Sequence, residues 1–125
     1  MLLNIYTAWA AFFVGIIAGA VSGLKFHSED FLGGYSSWRR RLVRLAHISF
    51  LGIGLINLVF ALTAKALDIT SGLTVASVML VVGAITMPLV CYLAAFRPSF
   101  RHLFFIPVLS VLSGVVVMLW RVMSL

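Results

Sequence analysis

The sequence predicts an all-α integral membrane protein, a bundle of four transmembrane helices that run alternately up and down. Of its 125 residues, 63% are hydrophobic and 10% are charged, whereas an average soluble domain has about 25% charged residues. Four separate apolar stretches are each long enough for the roughly 20 residues that cross the hydrocarbon core of a bilayer. Residues 1–125 are therefore predicted to form a single membrane domain.

The first predicted span covers residues 2–24, and the second covers residues 42–64. No basic residue precedes Lys25, and the apolar stretch is longer than the about 7–15 residues of a signal-peptide core, so we interpret the first span as a retained helix. The connection HSEDFLGGYSSW has the glycines and serines that are typical of a turn. Ser36 or Ser37 is expected to cap the second helix ahead of Trp38.

The third predicted span covers residues 73–96, and the fourth covers residues 103–120. The joint KALDITSG precedes the third span and the joint RPSFRH precedes the fourth. Because a proline disfavours helical geometry in the residue before it, Pro98 is expected to end the third helix at Arg97. No soluble domain is predicted, so the whole chain belongs to the membrane bundle.

Basic residues are divided unequally between the connections. Seven flank the first and third connections: Lys25, Arg39, Arg40, Arg41, Arg44, Arg97 and Arg101. Only Lys65 and Arg121 lie on the other side, so the positive-inside rule predicts that both termini are on the non-cytoplasmic side. The six arginines of the larger group adjoin hydrophobic spans, which favours binding to anionic lipid headgroups and not to nucleic acid. We expect a bacterial-type cytoplasmic membrane.

Small residues mark the predicted contacts between helices, because in lipid they let two backbones approach closely. The first span has them at a strict four-residue spacing: Ala11, Gly15, Gly19 and Gly23. This stripe predicts a contact within the chain or with a partner. In the second span, Gly54 and Asn57 share one face with His47. The Asn57 amide is expected to bond to a neighbouring helix, since a buried polar group without a partner costs about 1–3 kcal/mol; a substrate or quinone contact is the alternative.

The three histidines all fall in the predicted cytoplasmic half, and His47 lies one turn inside the second span. Two imidazoles that face each other across a bundle can ligate a b-type haem, and arginines can pair with its propionates. His47 and His102 are the favoured ligands, His27 is the reserve, and Arg40 and Arg44 are the propionate partners. The alternatives are a histidine-lined quinone or proton site, and interfacial histidines that bond to a carbonyl or a headgroup.

No catalytic constellation is visible, so we expect that the chain is not an enzyme. It has no paired intramembrane carboxylates and no phosphate-binding glycine loop, and Cys91 with the histidines lacks the spacing of a metal site. A chain of membrane helices without a deep charge is predicted to be a small accessory subunit of a larger membrane complex, with an electron-transfer or other bioenergetic assembly preferred. The alternatives are a haem- or quinone-binding anchor, and a homo-oligomeric channel or transporter.

Overall fold

The computed structural model describes residues 1–125 and contains helices without strands. Four α-helices follow in order: α1 Leu2–Lys25, α2 Trp38–Ala66, α3 Thr74–Phe96 and α4 Phe105–Met123. Short 3-10 turns occupy Phe31–Gly33 and Pro98–Phe104. Each helix, with the second turn counted as part of α4, is long and apolar enough to cross a membrane. The prediction of an all-helical protein with four such segments is confirmed, and this is the pattern of a multi-pass membrane protein.

Two helix ends follow directly from local sequence. The Ser37 hydroxyl accepts a hydrogen bond from the Arg40 backbone N–H at 3.2 Å, so Ser37 caps α2 as predicted. The helix therefore begins at Trp38, ahead of the apolar span predicted to start at residue 42, and it includes the arginines in its first turns. At the end of α3, Arg97 is extended (φ −134°, ψ 103°) ahead of Pro98, which confirms the predicted stop.

The centre of the bundle consists of α2 and α3. α1 packs mainly against α2, and α4 packs against α3. For the most apolar 18 residues of each helix, the buried share is 39% in α2 and 44% in α3, against 17% in each of α1 and α4. The outer helices therefore expose most of their apolar side chains, which is the surface that lipid or another membrane helix covers.

Two apolar clusters hold the bundle together, one at each end. The first joins the α2–α3 connection to its helices: Phe60, Ala64, Ile69, Leu73, Ala76 and Leu80. The second joins Leu42 and Val43 to Ala94 and Ala95, and Phe26, Leu32, Phe100 and Phe104 pack against it. Because the second cluster includes residues of both the first and the third connections, these connections lie at the same end of the molecule. We call this the basic end, since it carries seven of the nine lysines and arginines.

Candidate functional site

At the basic end, α1, α2 and Phe26 line a small open cavity of about 360 Å³. It is lined mostly by polar and small residues: Gly19, Ser22, Gly23, Phe26, Arg44, His47 and Ile48. Arg44 and His47 are three residues apart on α2, so their side chains lie on one face of the helix. The arrangement brings a guanidinium, an imidazole and a hydroxyl together near the predicted membrane edge, and we call it the Arg44–His47 cavity.

His47 is fixed against α1 by one hydrogen bond. Its Nδ1 lies 2.9 Å from the Gly15 carbonyl oxygen, and because a carbonyl can only accept, Nδ1 carries the proton and donates. A Cβ at Gly19 would come within 2.9 Å of Nε2, so the ring fits only because that residue has no side chain. In the neutral imidazole Nε2 is then an acceptor, and it forms no hydrogen bond within the protein. Nε2 is therefore available to a ligand in the cavity.

Arg40 differs from the other arginines of α2 because its side chain is buried, with 4% exposure. Its guanidinium donates to the carbonyl oxygens of Phe26 and Ser28, and its Cζ lies 4.6 Å from the centre of the Phe26 ring. These carbonyls follow the end of α1, where backbone acceptors lack helical partners. Arg40 thus ties the end of α1 to α2. Its polar contacts are inside the protein, whereas the sequence predicted headgroup or propionate contacts for it.

Arg44 also lies beside an aromatic ring, but it has no carbonyl acceptors like those of Arg40. Its Cζ lies 4.8 Å from the centre of the Tyr35 ring, and its guanidinium forms no hydrogen bond within the protein. The half-buried side chain is therefore oriented by stacking while its N–H donors stay free. Four other arginines predicted to meet headgroups are exposed at the same end: Arg39, Arg41, Arg97 and Arg101.

The other two histidines are not among the residues that line this cavity. His102 is exposed on the Pro98–Phe104 turn, which packs against α3 and α4, whereas His47 faces α1. His27 is exposed, and its Nδ1 lies 2.6 Å from the Leu24 carbonyl oxygen. The structure does not bring His47 and His102 together as facing ligands. Haem ligation by this pair stays a prediction that the geometry does not favour.

A second polar group lies buried between α1, α2 and α3. The Asn4 amide donates to Asn57 Oδ1 at 2.8 Å and to the Ser77 carbonyl at 3.1 Å, and the Ser77 hydroxyl donates to Asn4 Oδ1. The Asn57 amide donates to the carbonyls of Ile53 and Leu80 at 3.0 and 3.1 Å. Each amide has its donors and its acceptor satisfied, so the group locks three helices together and offers nothing to a ligand.

The predicted bond from Asn57 to a neighbouring helix is present in the structure. The sequence did not predict that Asn4 is one of its partners. The stripe predicted for α1 begins at Ala11 and omits Asn4. A signal for it exists in the sequence, because Asn4, Ala8, Ala11 and Gly15 fall on one helical face. All four are buried. Steps of four, three and four residues back from Gly15 lead through Ala11 and Ala8 to Asn4, whereas the strict four-residue spacing used for the stripe misses it.

The predicted glycine positions occupy two different environments. A Cβ at Gly15 would lie 3.0 Å from Phe50 Cβ, and one at Gly54 would lie 3.2 Å from Ala11 Cβ, so both glycines lie where α1 and α2 touch. A Cβ at Gly23 would meet no atom within 4 Å. The stripe on α1 thus packs inside the chain at Gly15 and Gly19, while Gly23 opens onto the Arg44–His47 cavity.

Three larger cavities are apolar grooves beside the outer helices. One of about 420 Å³ lies between α2 and α4, and one of about 440 Å³ lies between α1 and α3. The third, of about 400 Å³, lies where α4 meets α2 and α3. Comparisons of the chain with protein-family models, with curated proteins and with solved structures give no match. The function of the chain is therefore inferred from the chemistry of its cavities and of its buried polar groups.

Proposed function

We propose that the chain is a small, non-catalytic subunit of a larger membrane complex. The supporting observation is that the polar side chains deep in the bundle already have hydrogen-bond partners within the chain. The deep polar side chains of Asn4, Asn57 and Ser77 are satisfied by one another and by backbone carbonyls. The buried side-chain nitrogens without a partner are the Nε atoms of Arg40 and Arg121. A transport path needs polar groups that a solute or ion can use. Because the bundle interior provides none, a packing role is favoured over transport by a single chain.

The outer helices supply the surface for a partner. α1 and α4 pack on the central pair and leave an apolar groove beside each of them. Association of membrane helices gains from the van der Waals contacts that such grooves provide. Gly15 and Gly19 are already used against α2, so a partner would bind elsewhere on the apolar surface and not on the glycine stripe that the sequence suggested.

The complex is proposed to sit in the membrane with the basic end of this chain at the cytoplasmic leaflet and both termini outside. Anionic headgroups there attract basic residues by about 1 kcal/mol each. An electron-transfer setting stays a prediction, since it depends on ligation by His47 and His102.

Extraction of a tagged chain from its native membranes in mild detergent, followed by native gel electrophoresis, tests the subunit proposal. We expect migration with other membrane chains in an assembly far larger than 125 residues. As a control, two differently tagged copies are expressed together in an unrelated host, where they are expected not to co-purify. Migration as a monomer from native membranes would contradict the proposal. Co-purification of the two copies as the sole assembly would instead favour a homo-oligomeric channel.

A further inference from the structure

We infer that the Arg44–His47 cavity binds the headgroup of an anionic glycerophospholipid that carries hydroxyl groups beside its phosphate, such as phosphatidylglycerol. The inference goes beyond the subunit role. The one part of the proposed function that it needs is the orientation, which puts the basic end at the anionic leaflet. The supporting observation is one cavity lined by Arg44, whose guanidinium has no hydrogen-bond partner within the protein, and by His47, whose ring α1 holds in place.

The phosphate is matched by Arg44. A guanidinium binds a phosphate through two parallel N–H donors, and stacking on Tyr35 orients this one without using those donors. The Ser22 hydroxyl lines the same cavity and supplies another donor. No carboxylate is among the lining residues, so nothing there repels an anion.

The hydroxyl groups of the ligand are matched by His47. Because Nδ1 donates to the Gly15 carbonyl, Nε2 of the neutral ring accepts, and an acceptor requires a ligand with a donor hydrogen. The glycerol headgroup of phosphatidylglycerol has two hydroxyl donors next to its phosphate. The trimethylammonium of phosphatidylcholine has no N–H or O–H to donate. The site should therefore distinguish these two lipids by hydrogen bonding as well as by charge.

The shape of the cavity also fits a headgroup at the membrane edge. Its volume of about 360 Å³ is within the usual range for small-molecule sites. Gly23 leaves the space open, since a Cβ there would meet nothing within 4 Å. Ile48 lines the cavity and is 58% exposed, so the site is continuous with the apolar outer surface along which acyl chains would lie.

Native mass spectrometry of the purified full chain, released from nanodiscs of mixed phosphatidylglycerol and phosphatidylcholine, tests the site. We expect one retained phosphatidylglycerol, preferred over phosphatidylcholine by about tenfold or more. Arg44→Gln and Gly23→Leu should each reduce that preference by about tenfold. Arg41→Gln and Gly52→Leu are the matched controls: Arg41 is an exposed arginine of the same helix, and a Cβ at Gly52 meets nothing within 4 Å. Both controls should retain the lipid.

Several results would overturn the inference. Equal losses in Arg44→Gln and Arg41→Gln would mean diffuse attraction by the basic end, and full retention in Gly23→Leu would place the lipid outside the cavity. Displacement of the lipid by millimolar inorganic phosphate would reassign the site to free phosphate, and a Soret band in the purified wild type would reassign it to haem. Far-UV circular dichroism checks folding; if Arg44→Gln unfolds, Gly23→Leu decides. A chain that retains the lipid but migrates alone on native gels would keep this site and lose the subunit role.

Discussion

Arg40 and Arg44 lie one turn apart at the start of α2, yet only the Arg40 guanidinium is hydrogen-bonded within the protein. Burial of an unpaired guanidinium is costly, and Arg40 offsets this cost with two carbonyl acceptors and the Phe26 ring. Arg44 has an aromatic neighbour but no acceptor within the protein. The arginine cluster is therefore not a uniform basic patch, because one member holds α1 to α2 and another is left for a ligand.

At the same scale, the Asn4–Asn57 pair can be tested by a double-mutant cycle. Asn4→Ala and Asn57→Ala are each expected to lower the free energy of unfolding by about 1–3 kcal/mol, because each leaves buried partners unsatisfied. The double variant should lose less than the sum, with a coupling of about 0.6–1.7 kcal/mol. Unfolding by sodium dodecyl sulfate in mixed micelles measures these values.

Ser113→Ala is the control for this cycle, since the Ser113 hydroxyl bonds only to the Ser110 carbonyl of its own helix. Its effect should stay within about 0.5 kcal/mol. Strictly additive losses in the Asn4 and Asn57 variants would contradict a shared network.

Among the elements, the contact between α3 and α4 depends on glycines that the sequence did not single out. A Cβ at Gly114 would lie 2.6 Å from Leu80 Cγ and 3.1 Å from the Ala76 carbonyl oxygen. A Cβ at Gly83 would collide with Val111. Both glycines are buried, and the absence of a side chain at each lets the other helix pack closely there. α4 is held to α3 mainly by close apolar packing at these glycines. α1 is held to α2 by two hydrogen bonds, one from Asn4 to Asn57 and one from His47 to the Gly15 carbonyl.

This difference predicts that Gly114→Val is destabilising. The added methyl groups must separate α4 from the Ala76 backbone, and overpacking of this kind costs about 1–3 kcal/mol. Gly52→Val is the matched variant, because it makes the same change in a helix where a Cβ would meet nothing. Unfolding in mixed micelles should show a clear loss for the first variant and little for the second. Equal losses would mean that helix propensity, and not the contact, sets the effect.

For the whole molecule, the main asymmetry is that of charge. The apolar cluster around Leu42 and Ala95 joins the first and third connections, so the seven basic residues that flank them share one end. The opposite end has Lys65 and Arg121, and the Arg121 guanidinium donates to the Ser71 carbonyl at 3.0 Å. A bundle with this distribution is expected to insert in a single orientation, since translocation of the basic end is disfavoured.

A reporter that is active only in the cytoplasm tests this orientation. Fused after Leu125, it should give little signal, because the positive-inside rule puts the C-terminus outside. Inserted into the exposed first connection after Gly33, the same reporter should give a strong signal. Strong signal from the C-terminal fusion with little from the insertion would reverse the orientation and, with it, the leaflet in which the Arg44–His47 cavity lies.

Local features of the chain were predictable from the sequence. The four helices follow from four apolar stretches, the start of α2 from Ser37, and the end of α3 from Pro98. These features depend on residues that are close in the chain, so no knowledge of tertiary contacts is needed. The burial of Asn57 and its bond to another helix were also predictable, because a deep amide must have a partner.

Only the tertiary structure decided which groups meet. Three pairings depend on the rotation of each helix about its own axis. Asn4 meets Asn57, Arg40 is buried against the end of α1, and His47 faces α1. Hydrophobic periodicity fixes that rotation poorly when a helix is apolar nearly all round, as α1 and α3 are. In such helices close packing at glycines and a few hydrogen bonds set the rotation, and these act between residues far apart in the chain.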